Sequence, residues 1–194
     1  MNVDEYNRLR NVVIRTVNSQ EFTRHYGRGD SIKRAIDTMI KSLDVVARGG
    51  RTGVGQNMTE TVRQGAMVVM EKAIYGKHDR FTINFSLMFA DLLTMFNKEL
   101  AYNFEFDIFA DAIRSIVRSH LTITEAIDVL RNLLDRAEKY LRLEPPAYEI
   151  SRHFVEMVWK KLESGEEVGD YPNKAVELKV QKNEGDKSKE CPKC

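Results

Sequence analysis

FTINFSLMFADLLTMFNKEL, residues 81–100, is the most hydrophobic stretch of the chain. Such a run is either a membrane span or a helix buried inside a protein. Asn84, Asp91, Asn97, Lys98 and Glu99 interrupt it, and a bilayer core tolerates few such groups. Its remaining side chains are apolar around most of a helical circumference, as expected of a helix enclosed by others. The stretch is therefore read as a core helix over 83–102, and the rest of the chain must supply what surrounds it.

Working outward, apolar residues recur at helical spacing on both sides, with no convincing run of strict alternation. Residues 3–19 place Leu9, Val12, Val13 and Val17 inward. A polar link at 26–29 leads to Asp30 or Ser31 as N-cap of a second helix. That helix aligns Ile32, Ile36, Met39, Ile40, Leu43 and Val46, and Gly49-Gly50 stops it. A third is expected over 57–76, with Asn57 as its cap and Glu60 closing a capping-box-like pair.

Downstream, a fifth helix covers 106–119. Thr122-Ile123-Thr124-Glu125 is a capping box opening a sixth, and Pro145-Pro146 separates it from a seventh carrying Ile150, Phe154, Met157, Val158 and Leu162. The expectation is an all-α, single-domain bundle of about seven helices over 1–164, with the 83–102 helix at its centre. Residues 165–194 are rich in Lys, Glu, Gly and Asp, so they bury too little to offset the entropy of ordering. A disordered polar C-terminal tail is expected there. Only 176–180 alternates, enough at most for a strand in need of a partner.

A length of 194 residues suits one domain and a tail, and 42% hydrophobic residues can form a real core. The 30 Lys and Arg nearly balance the 29 Asp and Glu, so net charge alone argues for neither nucleic acid nor membrane. The charges are unevenly spread. Residues 1–80 carry 14 basic against 9 acidic side chains, and 81–194 carry 16 against 20. Arginine dominates the basic half, among others at positions 8, 10, 15, 24, 28, 34, 48, 51 and 63, and its planar fork of donors suits phosphate.

No apolar h-region opens the chain, so no secretory signal is expected. Both cysteines lie within the last four residues, which leaves the body without a disulfide framework. A cytoplasmic location follows as the default, with no membrane association.

The segment Gly49-Gly50-Arg51-Thr52-Gly53-Val54-Gly55-Gln56-Asn57 is the most unusual in the chain. Its glycines let backbone amides approach a ligand closely, and they feed into a helix N-terminus, where amides and dipole both favour an anion. Arg48 and Arg51 flank it, and Arg63 follows two turns into the next helix. The candidate phosphate-contact set is Arg48, Arg51, Gly53, Gly55, Asn57 and Arg63. The plainer reading is a flexible interhelical connection with glycine as stop signal.

The spacing from Gly50 to Gly55 nearly matches a P-loop. Gln56-Asn57 stands where Lys-Ser/Thr belongs, and the preceding segment reads as helix rather than strand, so nucleotide hydrolysis is not expected. Arg34, Lys41 and Arg48 share a helix face, but Asp30, Asp37 and Asp44 each stand four residues upstream of one of them. A self-neutralised, solvated face is expected there.

Glu149, His153 and Glu156 share a face of the seventh helix, yet no second helix offers a matching pair for a metal. His25, His78 and His120 fall near expected helix ends and suggest no grouping. Cys191-Pro192-Lys193-Cys194 offers two thiolates, half of a structural zinc site, so zinc at Cys191 and Cys194 would need ligands from elsewhere. No other cofactor is implied.

No nucleophile or metalloprotease motif appears, so the chain is not expected to be an enzyme, and no small-molecule substrate is identified. The expected role is a non-catalytic, nucleic-acid-associated helical subunit that touches RNA or DNA backbone phosphates through the Arg/Gly loop. The alternative is a helical adaptor or assembly protein, meeting other subunits or itself through an apolar face. Met58, Met67, Met70, Met88 and Met95 would suit such contacts, although most of them read as ordinary core.

Overall fold

The computed structural model describes residues 1–75 and 78–119, together with Glu125, Asp128 and Asn132. Over the described residues the protein is all-α. Its helices are α1 (Val3–Val17), α2 (Gln20–Tyr26), α3 (Asp30–Ala47), α4 (Gln56–Tyr75), α5 (Arg80–Phe96) and α6 (Phe104–Arg118), with a π-helical turn at Asn97–Ala101. Glu125, Asp128 and Asn132 are helical and exposed. The expected sixth and seventh helices otherwise lie outside the described residues, as does the tail.

The central position of the hydrophobic stretch holds. α5 packs against α1, α3, α4 and α6, and Phe85, Phe89, Leu92, Leu93 and Phe96 are buried along it. It begins earlier than periodicity suggested, because the Asp79 side chain caps it by accepting from the Thr82 amide at 2.7 Å. It also does not run on to residue 102 as an α-helix: the ladder widens to π geometry at Asn97.

The expected helix over 3–19 forms as α1, two residues shorter, and a helix not expected follows it. Ser19 accepts from the Phe22 amide at 3.1 Å and so caps α2 over the stretch left unassigned before the 26–29 link. Phe22 and Tyr26 anchor α2, their rings lying 5.3 and 5.0 Å from that of Phe85. Five helices were expected over the described stretch, and six are found there. The cap of α3 also differs: Gly29, in left-handed conformation, precedes it, and Asp30 is already its first residue. A side chain at Gly29 would run into the Phe22 ring, its Cβ 2.6 Å from two ring carbons.

α3 and α4 are held unusually close. Gly65 of α4 is buried, and a Cβ there would collide with the Cβ of Ala35 and approach the Ser31 carbonyl oxygen to 2.9 Å. The absent side chain lets the two backbones meet.

Polar links fasten the outer helices to this core. The Arg10 guanidinium donates to both carboxylate oxygens of Asp44, at 2.9 and 3.1 Å, and the Tyr6 hydroxyl lies 2.6 Å from the same carboxylate. Burial works against the Asp44 charge, but the bonds from Arg10 and Tyr6 outweigh it and hold the carboxyl below its usual range. Arg63 of α4 likewise reaches the buried Glu105 of α6 at 3.1 Å.

Candidate functional site

The corner between α3 and α4 carries most of the candidate phosphate-contact residues, and its two halves are built differently. In the first half the glycines finish α3. Gly49 adopts φ +77°, its amide donates to the Val46 carbonyl at 3.0 Å, and the Gly50 amide donates to the Val45 carbonyl at 2.9 Å. This pair of bonds is a Schellman cap. A Cβ on Gly50 would lie 2.8 Å from a Val45 methyl carbon. Both residues serve the helix, and neither amide is open to a ligand.

The second half is open. Gly53 and Gly55 are exposed, and a Cβ on either would meet nothing within 4 Å. Among the described residues no acceptor is bonded to the amides of residues 51–58; the first amide bond of α4 runs from Thr59 to the Gly55 carbonyl, at 3.0 Å. No acidic residue lies in the first turn of α4. The N-terminal donors of this helix therefore stand free of protein side chains, with a positive dipole end behind them.

Asn57 is exposed but is not the expected cap. It lies inside α4, which begins at Gln56, and its carbonyl accepts from the Thr61 hydroxyl at 2.9 Å. Glu60 does not return to Asn57; it binds Arg63 and Gln64 further along the helix. The capping box is not formed.

Arg48 and Arg51 are exposed and make no ion pair among the described residues. Arg63 must be set apart from them. Its side chain is only 15% exposed and is shared between Glu60 and the buried Glu105. A guanidinium satisfied by two carboxylates, one of them buried, is a structural counter-ion. The structure thus brings Arg48, Arg51, Gly53, Gly55 and Asn57 to one exposed corner and commits Arg63 elsewhere.

The self-neutralised face on α3 holds only in part. Lys41 pairs with Asp37 at 2.7 Å. Asp44, however, is taken by Arg10 and Tyr6 rather than by Arg48, and Asp30 sits 3.7 Å from Arg28 rather than pairing with Arg34. The reason is geometric. A bidentate Arg–carboxylate fork with a tyrosine hydroxyl outcompetes an exposed i,i+4 pair worth a few tenths of a kcal/mol, about 0.2–0.5. Arg48 is left without an ion pair as a result, although its charge still acts on Asp44.

One cluster was not foreseen. His25 of α2 lies between the Glu21 carbonyl oxygen, 2.8 Å from Nδ1, and the Asp79 carboxylate, 2.6 Å from Nε2. Fifty-four residues separate His25 from Asp79, so only the packing of α2 on α5 could reveal the pair.

Asp91, one of the polar residues that interrupt the hydrophobic stretch, lies on α5, bonded to Arg114 at 3.0 Å. Among the described residues there is no strand, no group of three or more side chains able to hold a metal, and no helix long and apolar enough to cross a membrane. Cys191, Cys194 and the Glu149, His153, Glu156 set lie outside the described residues.

No protein family matches this chain, and neither a curated protein nor a solved structure is significantly similar to it.

Proposed function

We propose that the chain is a non-catalytic helical subunit that associates with nucleic acid, its α3–α4 corner lying against backbone phosphates. The observation that supports this reading is the coincidence, on one exposed corner, of two unpaired guanidiniums with an uncapped helix N-terminus. Arg48 and Arg51 supply charge, and the amides of residues 51–58 supply directed donors. Arginine and backbone amides form the usual set that positions a protein on a phosphate backbone without reading sequence. RNA and DNA share that chemistry, and base specificity is not expected from this corner.

The test is a fluorescence anisotropy titration with generic single-stranded RNA and DNA at several salt concentrations. Affinity should fall linearly on a log–log plot as salt rises. Changing Arg48 and Arg51 together to Ala should flatten that slope by about 1.4 for a single strand, two phosphate contacts at about 0.7 each. Equal affinity and slope in the double variant would discard the corner, and absence of binding at low salt would discard the function.

A second reading, a helical adaptor or assembly protein, is favoured by Tyr102. This residue sits at the tip between α5 and α6 in left-handed conformation, φ 48°, and is 80% exposed. Exposed aromatics are common anchors in protein interfaces. Size-exclusion chromatography with light scattering, run on the protein and on Tyr102→Ser, separates self-assembly through this ring from a monomer.

A further inference from the structure

We propose that His25 is a proton-operated clasp that fastens α2 to the corner between α4 and α5. The argument begins with the imidazole itself. A neutral ring carries one N–H and one lone pair, whereas the protonated ring carries two N–H donors. Both nitrogens of His25 face acceptors, the Glu21 carbonyl at 2.8 Å and the Asp79 carboxylate at 2.6 Å. Only the imidazolium satisfies both. In the neutral form one oxygen must face a lone pair, and one of the two contacts opens.

The surroundings favour the same species. Two negative charges act on the ring, Asp79 from the α4–α5 corner and Glu21 from its own helix. Phe81 of α5 covers one side, its ring centroid 4.5 Å from that of His25, and the Tyr26 phenol ring lies at 6.3 Å. Burial opposes a charged ring, but the bonds to Asp79 and Glu21 outweigh it and raise the His25 pKa. Asp79 is shifted the other way: burial would raise it, but bonds from Thr82 and His25 hold it below the usual carboxylate range.

The signs define a window. The His25 contribution is complete below its ordinary pKa of about 6.5 and is lost as pH rises through the raised folded value. The Asp79 contribution is complete above its ordinary value of about 3.9 and is lost as pH falls through the lowered one. The clasp is closed between those two folded values, and it opens as pH rises through the first or falls through the second.

The consequence falls on α2 because that helix has little else. It is seven residues long, held by its Ser19 cap and by Phe22 and Tyr26, and helices this short are marginal without tertiary support. Glu21, Arg80 and Phe81 also line an open cleft of about 610 Å³ between the α1–α2 segment and α5. Opening the clasp therefore loosens one wall of that cleft while the α5 cap on Thr82 survives.

The experiment is amide hydrogen exchange of α2 on the full chain, followed from about pH 5.5 to about pH 8.5 and corrected for intrinsic exchange. His25→Gln and Asp79→Asn are measured alongside, the latter keeping a side chain able to cap α5. Opening of the amides from Phe22 to Tyr26 should rise severalfold across the His25 titration in the native protein and stay flat with pH in both variants. The same pH response in His25→Gln would overturn the clasp. A second readout does not depend on the variants folding: imidazole nitrogen shifts of the native protein should show a doubly protonated ring at about pH 6. A neutral ring at that pH would overturn the proposal as well.

Discussion

Two corners of this molecule join consecutive antiparallel helices, and they are finished in opposite ways. At the α5–α6 corner one side chain closes nearly everything. The Asn97 amide group donates to Asp107 at 2.8 Å, its carbonyl oxygen accepts from the Asn103 amide at 2.6 Å, and its backbone carbonyl accepts from Tyr102 at 3.0 Å. Asn103 then caps α6 through the Glu105 amide at 2.9 Å. At the α3–α4 corner the protein closes the end of α3 with Gly49 and Gly50 and leaves the beginning of α4 open. A corner whose backbone groups are satisfied from within has no main-chain donors left to offer a ligand. A corner left with free donors in water keeps them available to something else.

The contrast is quantitative. Asn97→Ala should cost most, about 2 kcal/mol in urea unfolding, because it empties a buried polar position and strands the Asn103 amide, while the exposed Asp107 can turn to water. A loss below about 0.5 kcal/mol would mean that the corner re-forms around water, and the distinction between the two corners would fail. Gly49→Ala should cost about 1 kcal/mol by the same measurement, the penalty for a Cβ in left-handed geometry at φ +77°.

The smallest change in stability, within about 0.5 kcal/mol, is expected for Gly53→Ala and Gly55→Ala, since neither Cβ meets anything. These two variants sharpen the comparison further. If the open amides contact phosphate, the pair should weaken nucleic-acid binding severalfold in the anisotropy titration while leaving the unfolding midpoint in place. Unchanged binding would mark the glycines as spacers and leave the arginines to act without the amides.

How much of this was legible in the sequence follows from the range over which each signal acts. α5 was readable because its apolar residues leave almost no polar face, and only burial by neighbours explains that. α2 was not, because seven residues with two apolar anchors, Phe22 and Tyr26, span too few turns to show a period. Its only local mark is Asn18-Ser19, a stop followed by a cap. Asn57 was misplaced by one local rule competing with another. A capping-type side chain suggested the helix start, but the chain turns helical at Gln56, directly after Gly55.

The candidate site was legible as a cluster and illegible in its electrostatics. Arg48 seemed neutralised by Asp44 and Arg63 seemed free. The structure gives Asp44 to Arg10 and Glu105 to Arg63, at sequence separations of 34 and 42 residues, and leaves Arg48 only a longer-range pull on Asp44. Spacing along a helix reports what a side chain can reach locally and nothing about which distant group reaches it first.

The Gly65 crossing carries a mechanical consequence. Where two helices meet through interleaved side chains, rotamer changes can absorb a small slide; where backbone rests on backbone, no such cushion exists. α3 and α4 are notched together at Ala35 and Gly65, so neither helix slides past the other without moving backbone. On the proposed function, a pull on Arg51 would reach both helices together, and through Asp44 and Arg10 it would reach α1.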